Sequence, residues 1–516
     1  MAGTRRDLFV GVDSGTQSTK VLLVDGDTGK IVASGSAPHR FVDGLPPGHL
    51  EQHPEDWFIA LETVLGEVLD SPEVHAGDVR AIGVSGQQHG LVALDAAGEV
   101  IRPAKLWCDT STVTQCDEIL DKIGGLSRMI ELTGNGVPPG FTASKIAWLK
   151  EHEPANYARL HTLLLPHDYL NYRLTGKRRM ECGDASGTAL LDVRRRVWCK
   201  AAIAAIDDEL EEKLPSLMSN SEPCGTVTHE LTSKWGLEGT VLVSSGGGDN
   251  MMSAIGAGNV AEGLVTVSLG TSGTIFAYAS SPVVDPAGEV AAFCDSTGGW
   301  LPLVCTMNVT VATELIKSLF GMDAAGLEAH AGGVAPGCDG LLLIPYFEGE
   351  RTPNIPNGTG VWFGANRVTH TRGHFARAAM EGVTMGINYG LQKLSALGIS
   401  AQELRLTGGG SNSPTWRMIA ADVFGLPVVC LGQSESAAFG AAIQARWCWE
   451  RQKSSDVAVK QITEAWVTTA EETRALPDER RTAIYQELGS LQNHVSEALR
   501  PSFDLHREIV SKGLDS

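Results

Sequence analysis

Short apolar runs alternate with polar, glycine-containing turns at the start of the chain. Residues 8–12 and 21–25 are apolar and are joined by the turn 13–20, an arrangement that predicts an opening β-meander. Later apolar patterns have either strand length or helical periodicity. The predicted strands cover residues 8–12, 21–25, 31–34 and 79–85, and the predicted helices cover residues 55–69, 145–149 and 201–214.

The same opening recurs in the second half of the chain. Residues 263–268 form an apolar run, residues 270–273 form a glycine-containing turn, and the chain returns through residues 274–278. This repeat indicates an internal duplication with a boundary near residues 254–262. We therefore expect two α/β lobes, residues 1–255 and 256–516, that face each other across a nucleotide cleft.

The C-terminal part of the chain differs from both halves. From residue 446 onward it is charged and helical in pattern and has no further glycine-rich turn. We expect a helical tail that packs outside the site. Residues 461–477, which include Trp466, fit a solvated amphipathic helix better than an interface.

Composition supports a folded two-domain enzyme. The chain has 516 residues, of which 43% are hydrophobic and 20% charged, with 59 glycines. The formal net charge is −20, which argues against nucleic acid and anionic membranes as partners. ATP remains a possible substrate, because magnesium, backbone amides and helix N-termini supply local positive potential.

Cysteine usage and hydropathy indicate a cytoplasmic protein. The ten cysteines include no CxxC pair and no zinc-ligand spacing, so the sequence predicts neither a disulfide framework nor a thiolate metal site. Arg5 and Arg6 resemble a twin-arginine signal, but Asp13 and Lys20 interrupt the apolar stretch that follows. No apolar run approaches the roughly 18 residues that span a bilayer.

Four glycine-rich turns follow strand-like runs and carry the candidate chemistry. Glycine lets the backbone approach a ligand closely. The turns cover residues 13–16, 245–250, 268–273 and 407–413. Three of them can hold an anion or a nucleotide, and the fourth presents the carboxylate of Asp249. This combination indicates phosphoryl transfer.

The first hairpin can surround a phosphate with N–H groups and hydroxyls, and Asp13 at its strand end is placed to hold magnesium. An ordinary β-turn has the same composition, but the partner hairpin at 270–273 favours the functional interpretation. The sequence contains neither GxxxxGK[ST] nor an N-terminal GxGxxG, which excludes a P-loop and a dinucleotide fold.

Two further turns have a functional and a structural interpretation. Residues 407–413 precede a helical pattern and can admit an adenosine near a helix N-terminus, although the same composition is linker-like. Gln88 and His89 follow a buried strand and can bind sugar hydroxyls, although a lone histidine is more often structural. For Lys145 and Trp148, three apart on a predicted helix, packing is the better interpretation.

Together these residues resemble the FGGY family of carbohydrate kinases, within the sugar-kinase and actin-like ATPase superfamily. Residues 140–152 are similar to the first family signature, and residues 360–364 with 374–381 are similar to the second. Ala365 replaces a larger aliphatic residue, which we expect to affect only packing. The resemblance implies two duplicated actin-like, ribonuclease H-like lobes, with ATP and Mg²⁺ as cofactors and a possible homodimer.

The resemblance also implies a role for each candidate residue. Asp249 is the expected general base and Asp13 a magnesium or phosphate ligand. The expected sugar ligands are Gln88, His89, Asp249 and Asn250; the expected nucleotide ligands are Gly15, Thr16, Gly270, Thr271, Ser272, Gly408, Gly409, Gly410 and Asn412.

Four motifs narrow the range of expected substrates. Within the family, residues 86–90, 106–109, 184–188 and 247–250 are most similar to kinases that act on D-xylulose. Relatives acting on ribulose, fuculose, gluconate or glycerol share the scaffold and remain alternatives. From a different class, an actin-like ATPase module could use the same cleft to drive binding of a protein partner.

Overall fold

The computed structural model describes residues 6–433, 435–454 and 456–513. These residues form two compact units that are not contiguous in sequence. The first unit contains the chain up to Ala261 together with Tyr278–Leu301 and Glu435–Val467. The second unit contains Glu262–Ala277, the chain from Pro302 to Gln433, and the segment that begins at Thr468.

The first unit is built on a mixed seven-stranded sheet. Leu8–Ser14 pairs antiparallel with Ser18–Asp25, which pairs with Ile31–Pro38, so the predicted meander is confirmed. On its other side Leu8–Ser14 lies parallel to Val79–Gly86. The sheet is completed by Gly225–Thr226, Leu242–Val243 and Gly247–Gly248.

Helices cover both faces of this sheet. Trp57 and Leu61 of the helix Pro54–Leu69 pack in one core with Val10 and Leu23. Phe439 of the helix Ser436–Arg451 packs in the core that contains Phe9 and Val24. The other α-helices of this unit are Val113–Ile123, Leu126–Thr133, Thr142–His152, Pro154–Arg159, Pro166–Thr175, Cys182–Ala185, Lys200–Ala204, His229–Lys234, Asp249–Gly256 and Val459–Trp466.

Glycines bring the helix Ser436–Arg451 into backbone contact with its neighbours. A Cβ at Gly11 would lie 1.9 Å from the carbonyl oxygen of Ala438, and a Cβ at Gly440 would lie 1.9 Å from that of Met252. A side chain at either position would force the elements apart, which overpacked interiors do not tolerate.

The second unit repeats the plan with six strands. Gly263–Leu269 pairs antiparallel with Gly273–Ala277 and parallel with Ala401–Thr407, as in the first unit. Leu303–Thr306, Val428–Leu431 and Thr469–Ala475 complete the sheet. The predicted architecture of two duplicated α/β lobes is therefore confirmed, while the boundary between residues 255 and 256 stays a prediction. The α-helices of this unit are Thr310–Phe320, Ala324–Gly332, Arg372–Ala396, Pro414–Phe424 and Glu479–Gly513.

Short strand pairs lie outside the main sheets. They are Glu51–Gln52 with Ala104–Lys105, Val92–Leu94 with Thr162–Leu164, Arg179–Glu181 with Ser216–Met218, Leu191–Asp192 with Val197–Trp198, and Leu342–Pro345 with Gly360–Phe363. None of the helices in the described ranges combines the length and the apolar character needed to cross a membrane.

Two predicted helices differ from the structure. The helix predicted at 201–214 ends at Ala204, because the carboxylate of Asp207 accepts the N–H of Glu209 and competes with helical bonding. Residues 461–477 are not one solvated helix. Trp466 is only 3% exposed, and after the β-branched run 467–469 the chain continues as the strand Thr469–Ala475.

Candidate active site

Three parallel strands of the first unit end at one edge of the sheet. Gly86 lies opposite Ser14 on one side and opposite Gly248 on the other. Polar residues at the carboxyl ends of such strands face a common crevice. The structure therefore brings the predicted residues Asp13 and Asp249 and the 86–90 turn to the same edge.

Asp249 begins the helix Asp249–Gly256 at this edge. Its Oδ1 accepts hydrogen bonds from the backbone N–H of Asn250 at 2.8 Å and from the Asn250 amide at 3.0 Å. Burial, together with the negative charges of Asp13 and Asp184, raises the pKa of Asp249 to about 8. A carboxylate with this pKa can accept a proton near neutral pH.

Asp13 is the second carboxylate of the edge. Its Oδ1 accepts a hydrogen bond from the Ser85 hydroxyl at 2.9 Å, and burial raises its pKa to about 6. Lys20, its partner across the hairpin, lies 2.7 Å from a carboxylate oxygen of Glu435. Two carboxylates with raised pKa values provide the hard oxygen ligands and the uncompensated charge that suit Mg²⁺.

Side chains from three other segments hold the hairpin that contains Gly15 and Thr16. The Thr16 hydroxyl donates to the Gln87 amide oxygen at 3.1 Å and accepts from the Trp107 indole at 2.9 Å. The Gln52 amide donates to the Thr16 carbonyl at 2.7 Å. The sequence interpretation assigned no role to Trp107 or Gln52, because neither lies in a glycine-rich turn.

Two of the other predicted sugar ligands, Gln88 and Asn250, lie next to Asp249. The Asn250 amide donates to the oxygen of Gln88 at 2.8 Å, which links the 86–90 turn to the helix that begins at Asp249. His89 lies beside two aromatic rings, with its centroid 4.5 Å from that of Phe141 and 6.0 Å from that of Phe293. The site therefore combines hydrogen-bonding groups with an apolar wall, as carbohydrate sites do.

A buried ion group lies behind this edge. His167 is fully buried, with Nδ1 2.7 Å from Asp184 and Nε2 2.9 Å from Asp168. Burial alone would lower the pKa of His167, but the two carboxylates raise it well above its ordinary value. The structure thus supports a charged imidazolium there. Asp184 lies in the 184–188 motif, which the sequence analysis used only to narrow the substrate, and nothing in the sequence singled out His167.

The glycine-rich turns of the second unit adjoin one another. Gly270, Thr271 and Ser272 connect Gly263–Leu269 to Gly273–Ala277, and the N–H groups of residues 309 and 310 donate to the carbonyls of Thr271 and Gly270. Gly408 has a φ of 82°, and a Cβ there would lie 2.6 Å from the carbonyl carbon of Leu269. Only glycine suits this backbone and this approach.

The turn Gly409–Asn412 leads directly into the helix Pro414–Phe424. Arg417 donates to the carbonyls of Ser411 and Asn412 at 2.9 and 3.1 Å, and Glu328 accepts the N–H of Thr415 at 2.9 Å. In the described part of the chain, only the residues adjacent to Gly409 come within 4 Å of a Cβ built there, whereas Gly410 packs on Leu269. Arg417 and Glu328 therefore hold the turn and the start of the helix in place, and space is left beside Gly409.

Comparisons with known proteins agree with this geometry. Residues 8–256 match the N-terminal domain of the FGGY family of carbohydrate kinases, and residues 265–449 match its C-terminal domain. A xylulose kinase from Haemophilus influenzae is 39% identical over 93% of this chain and 97% of that protein. One from Streptomyces coelicolor is 38% identical over 90% of this chain and 93% of that protein.

A solved structure supports the same relationship. The crystal structure of xylulose kinase from Bifidobacterium adolescentis is 32% identical, with a TM-score of 0.80, and covers 94% of this chain and 99% of that chain. The family resemblance and the two-lobed actin-like fold inferred from the sequence are thereby confirmed. The chain belongs to the FGGY family of carbohydrate kinases.

Proposed function

We propose that this carbohydrate kinase transfers the γ-phosphoryl group of ATP to the terminal primary hydroxyl of D-xylulose, giving D-xylulose 5-phosphate and ADP. The observation that carries the proposal is Asp249, a carboxylate with a raised pKa at the edge that also holds Asp13 and Gln88. The names of the similar proteins support the substrate.

In the proposed reaction, Asp249 accepts the hydroxyl proton as the new O–P bond forms and the bond to ADP breaks. Its pKa of about 8 suits a base that works near neutral pH. Two bonds from Asn250 hold one of its oxygens, so the base is oriented before the sugar binds. Because the transition state is loose, most of the rate comes from positioning and charge stabilisation.

The nucleotide is assigned to the glycine-rich turns. The Gly15 N–H already donates to the Ser18 carbonyl at 3.1 Å, so the N–H groups of Thr16 and of the 270–272 turn are the ones that would bind phosphate oxygens. Residues 408–412 would contact adenosine. Asp13 and Asp249 are the residues that would hold Mg²⁺ directly or through water. When bound, the metal neutralises charge on the phosphates.

Gln88, His89 and Asn250 are assigned to the sugar. The Gln88 side chain is buried, and its oxygen accepts from the Asn250 amide, which also donates to Asp249, so hydrogen bonds fix the orientation of both amide side chains. His89 adds an imidazole above an aromatic wall. A cytoplasmic location and a homodimer remain predictions.

The test is ADP release from the purified protein with Mg-ATP and a panel of D-xylulose, D-ribulose, L-fuculose, gluconate and glycerol. Selective stimulation by D-xylulose is expected. Stimulation by another compound of the panel would support kinase activity but with that compound as the substrate. Release that ignores every sugar would favour the actin-like ATPase alternative.

Two variants complete the experiment. Asp249→Ala is expected to abolish turnover while the affinity for ATP stays within a few fold. Asp27→Asn, an exposed aspartate in a hairpin turn of the same sheet, is the matched control and should retain full activity. Turnover retained by Asp249→Ala would remove Asp249 from the role of base.

A further inference from the structure

His89 adopts a backbone conformation that is unusual for its residue type. Its φ is 65°, in the left-handed region that non-glycine residues occupy infrequently and at a cost in free energy. Such a conformation persists where surrounding contacts stabilise it, and it is enriched at ligand sites. The contacts around His89 therefore bear on its function.

The main chain of His89 is held from one side by a buried helix. Lys145 on the helix Thr142–His152 is fully buried, and its Nζ donates to the His89 carbonyl at 2.9 Å and to the Gly140 carbonyl at 2.6 Å. Thr142 of the same helix donates to the His89 carbonyl at 3.1 Å. A buried ammonium without these acceptors would be costly, so helix and turn fix each other.

The ring of His89 is confined from the opposite side by a glycine. A Cβ built at Gly187 would lie 2.0 Å from Nδ1 and 2.1 Å from Cε1 of His89, so no side chain fits there while the ring keeps its place. One face of the ring packs on Phe141, with the ring centroids 4.5 Å apart and an interplanar angle of 34°. Residue 187 therefore borders the Nδ1–Cε1 edge of the imidazole, and Phe141 covers one of its faces.

The segment that contains Gly187 is itself immobilised. The Ser186 hydroxyl donates to the Cys182 carbonyl at 2.7 Å and accepts the N–H of Cys294 at 3.0 Å. The Thr188 hydroxyl donates to the Ala185 carbonyl at 2.6 Å. A new side chain at residue 187 would therefore displace the His89 ring before the segment itself moved.

We infer that Lys145 and Gly187 are positioning residues for the sugar site. Lys145 fixes the main chain of His89, and Gly187 leaves the space that its imidazole must occupy to reach the sugar. This inference rests on the proposed role of His89 as a sugar ligand. It also gives a purpose to the 184–188 motif and replaces the packing role that sequence alone favoured for Lys145.

The test is a double-mutant cycle with Gly187→Ala, His89→Ala and the combined variant, measured as KM for D-xylulose, KM for ATP and kcat. Gly187→Ala should raise KM for the sugar roughly tenfold, the effect of about one hydrogen bond, and leave KM for ATP within about twofold. The combined variant should match His89→Ala, because the ring that the new methyl displaces is already absent.

Lys145→Met provides an independent arm, because methionine preserves apolar volume but cannot donate to the carbonyls. It should also raise KM for the sugar severalfold. Lys150→Met on the same helix, where the side chain is 43% exposed and paired with Asp207, is the control and should leave both KM values unchanged. Thermal unfolding of each variant shows that it is folded.

The outcomes distinguish the proposed role of His89 as a sugar ligand from the positioning roles of Lys145 and Gly187. If wild type prefers another sugar, the same cycle is run with that sugar. If His89→Ala leaves the sugar KM unchanged, the proposed role of His89 fails and the inference fails with it. If His89→Ala raises the sugar KM while Gly187→Ala and Lys145→Met do not, or if the Gly187 and His89 effects add, the inference is wrong and the proposed function stands.

Discussion

Asp249→Asn should stabilise the ligand-free protein, and the gain should grow with pH. In the folded state burial and the charges of Asp13 and Asp184 raise the pKa of Asp249 from 3.8 to about 8. Between these values the unfolded chain has lost the proton and the folded protein still binds it, so stability falls as pH rises. Asparagine keeps the acceptor oxygen for Asn250 and carries no charge to bury.

The expected magnitude follows from the two pKa values. Their difference of about four pH units corresponds to roughly 5–6 kcal/mol above pH 8, and to roughly 1–2 kcal/mol at pH 5. Because Asp249 keeps some exposed surface, solvent screening should reduce these values to about half. For a unit of roughly 300 residues, the gain above pH 8 is about 3–6 °C in Tm.

The assay is thermal unfolding of wild type and Asp249→Asn in EDTA at pH 5 and pH 8.5. The variant should unfold at a clearly higher temperature at pH 8.5 and close to wild type at pH 5. An equal Tm difference at both pH values would show that Asp249 does not carry the raised pKa. A lower Tm for the variant at pH 8.5 would refute the electrostatic argument outright.

Three other predictions use different measurements. For wild type, kcat/KM for the sugar should rise about tenfold per pH unit and level off above about pH 8, because Asp249 must be deprotonated to act as the base. A flat profile from pH 6 to pH 9 would contradict this expectation. Gly440→Ala should lower Tm, at a cost of about 3 kcal/mol, because its Cβ would meet the carbonyl of Met252. Gly489→Ala, in the helix Glu479–Gly513 with open space around it, should instead raise stability by about 0.5–1 kcal/mol.

Much of the candidate site could be predicted from sequence because its residues lie in local turns. Asp13 and Asp249 each follow a short apolar strand, and glycines mark where the backbone leaves the sheet. Parallel strands place such turns at one edge, so identifying the strands and turns also places the residues. The same reasoning identified the hairpins of both units.

The roles of residues that act through contacts distant in sequence could not be predicted from local turns. Gly187 lies far along the chain from His89, and its requirement for glycine arises from the His89 ring, not from its own φ. Lys145 has an ordinary helical setting, and only its burial against the His89 carbonyl gives it a role. The ion group around His167 is partly nonlocal, since it joins the neighbouring residue Asp168 to Asp184 from another segment. These contacts depend on tertiary packing.

The position of Asp249 also depends on tertiary packing. The helix that begins with Asp249 is held by the late helix Ser436–Arg451, since a Cβ at Gly256 would lie 1.9 Å from the Ser436 carbonyl oxygen. The same late helix contacts the strand that carries Asp13, through Gly11. Residues 6–261 alone would therefore leave one face of the sheet and the helix of the base without their closest neighbour. The catalytic edge thus requires the late helix, although every predicted ligand of that edge lies before residue 251.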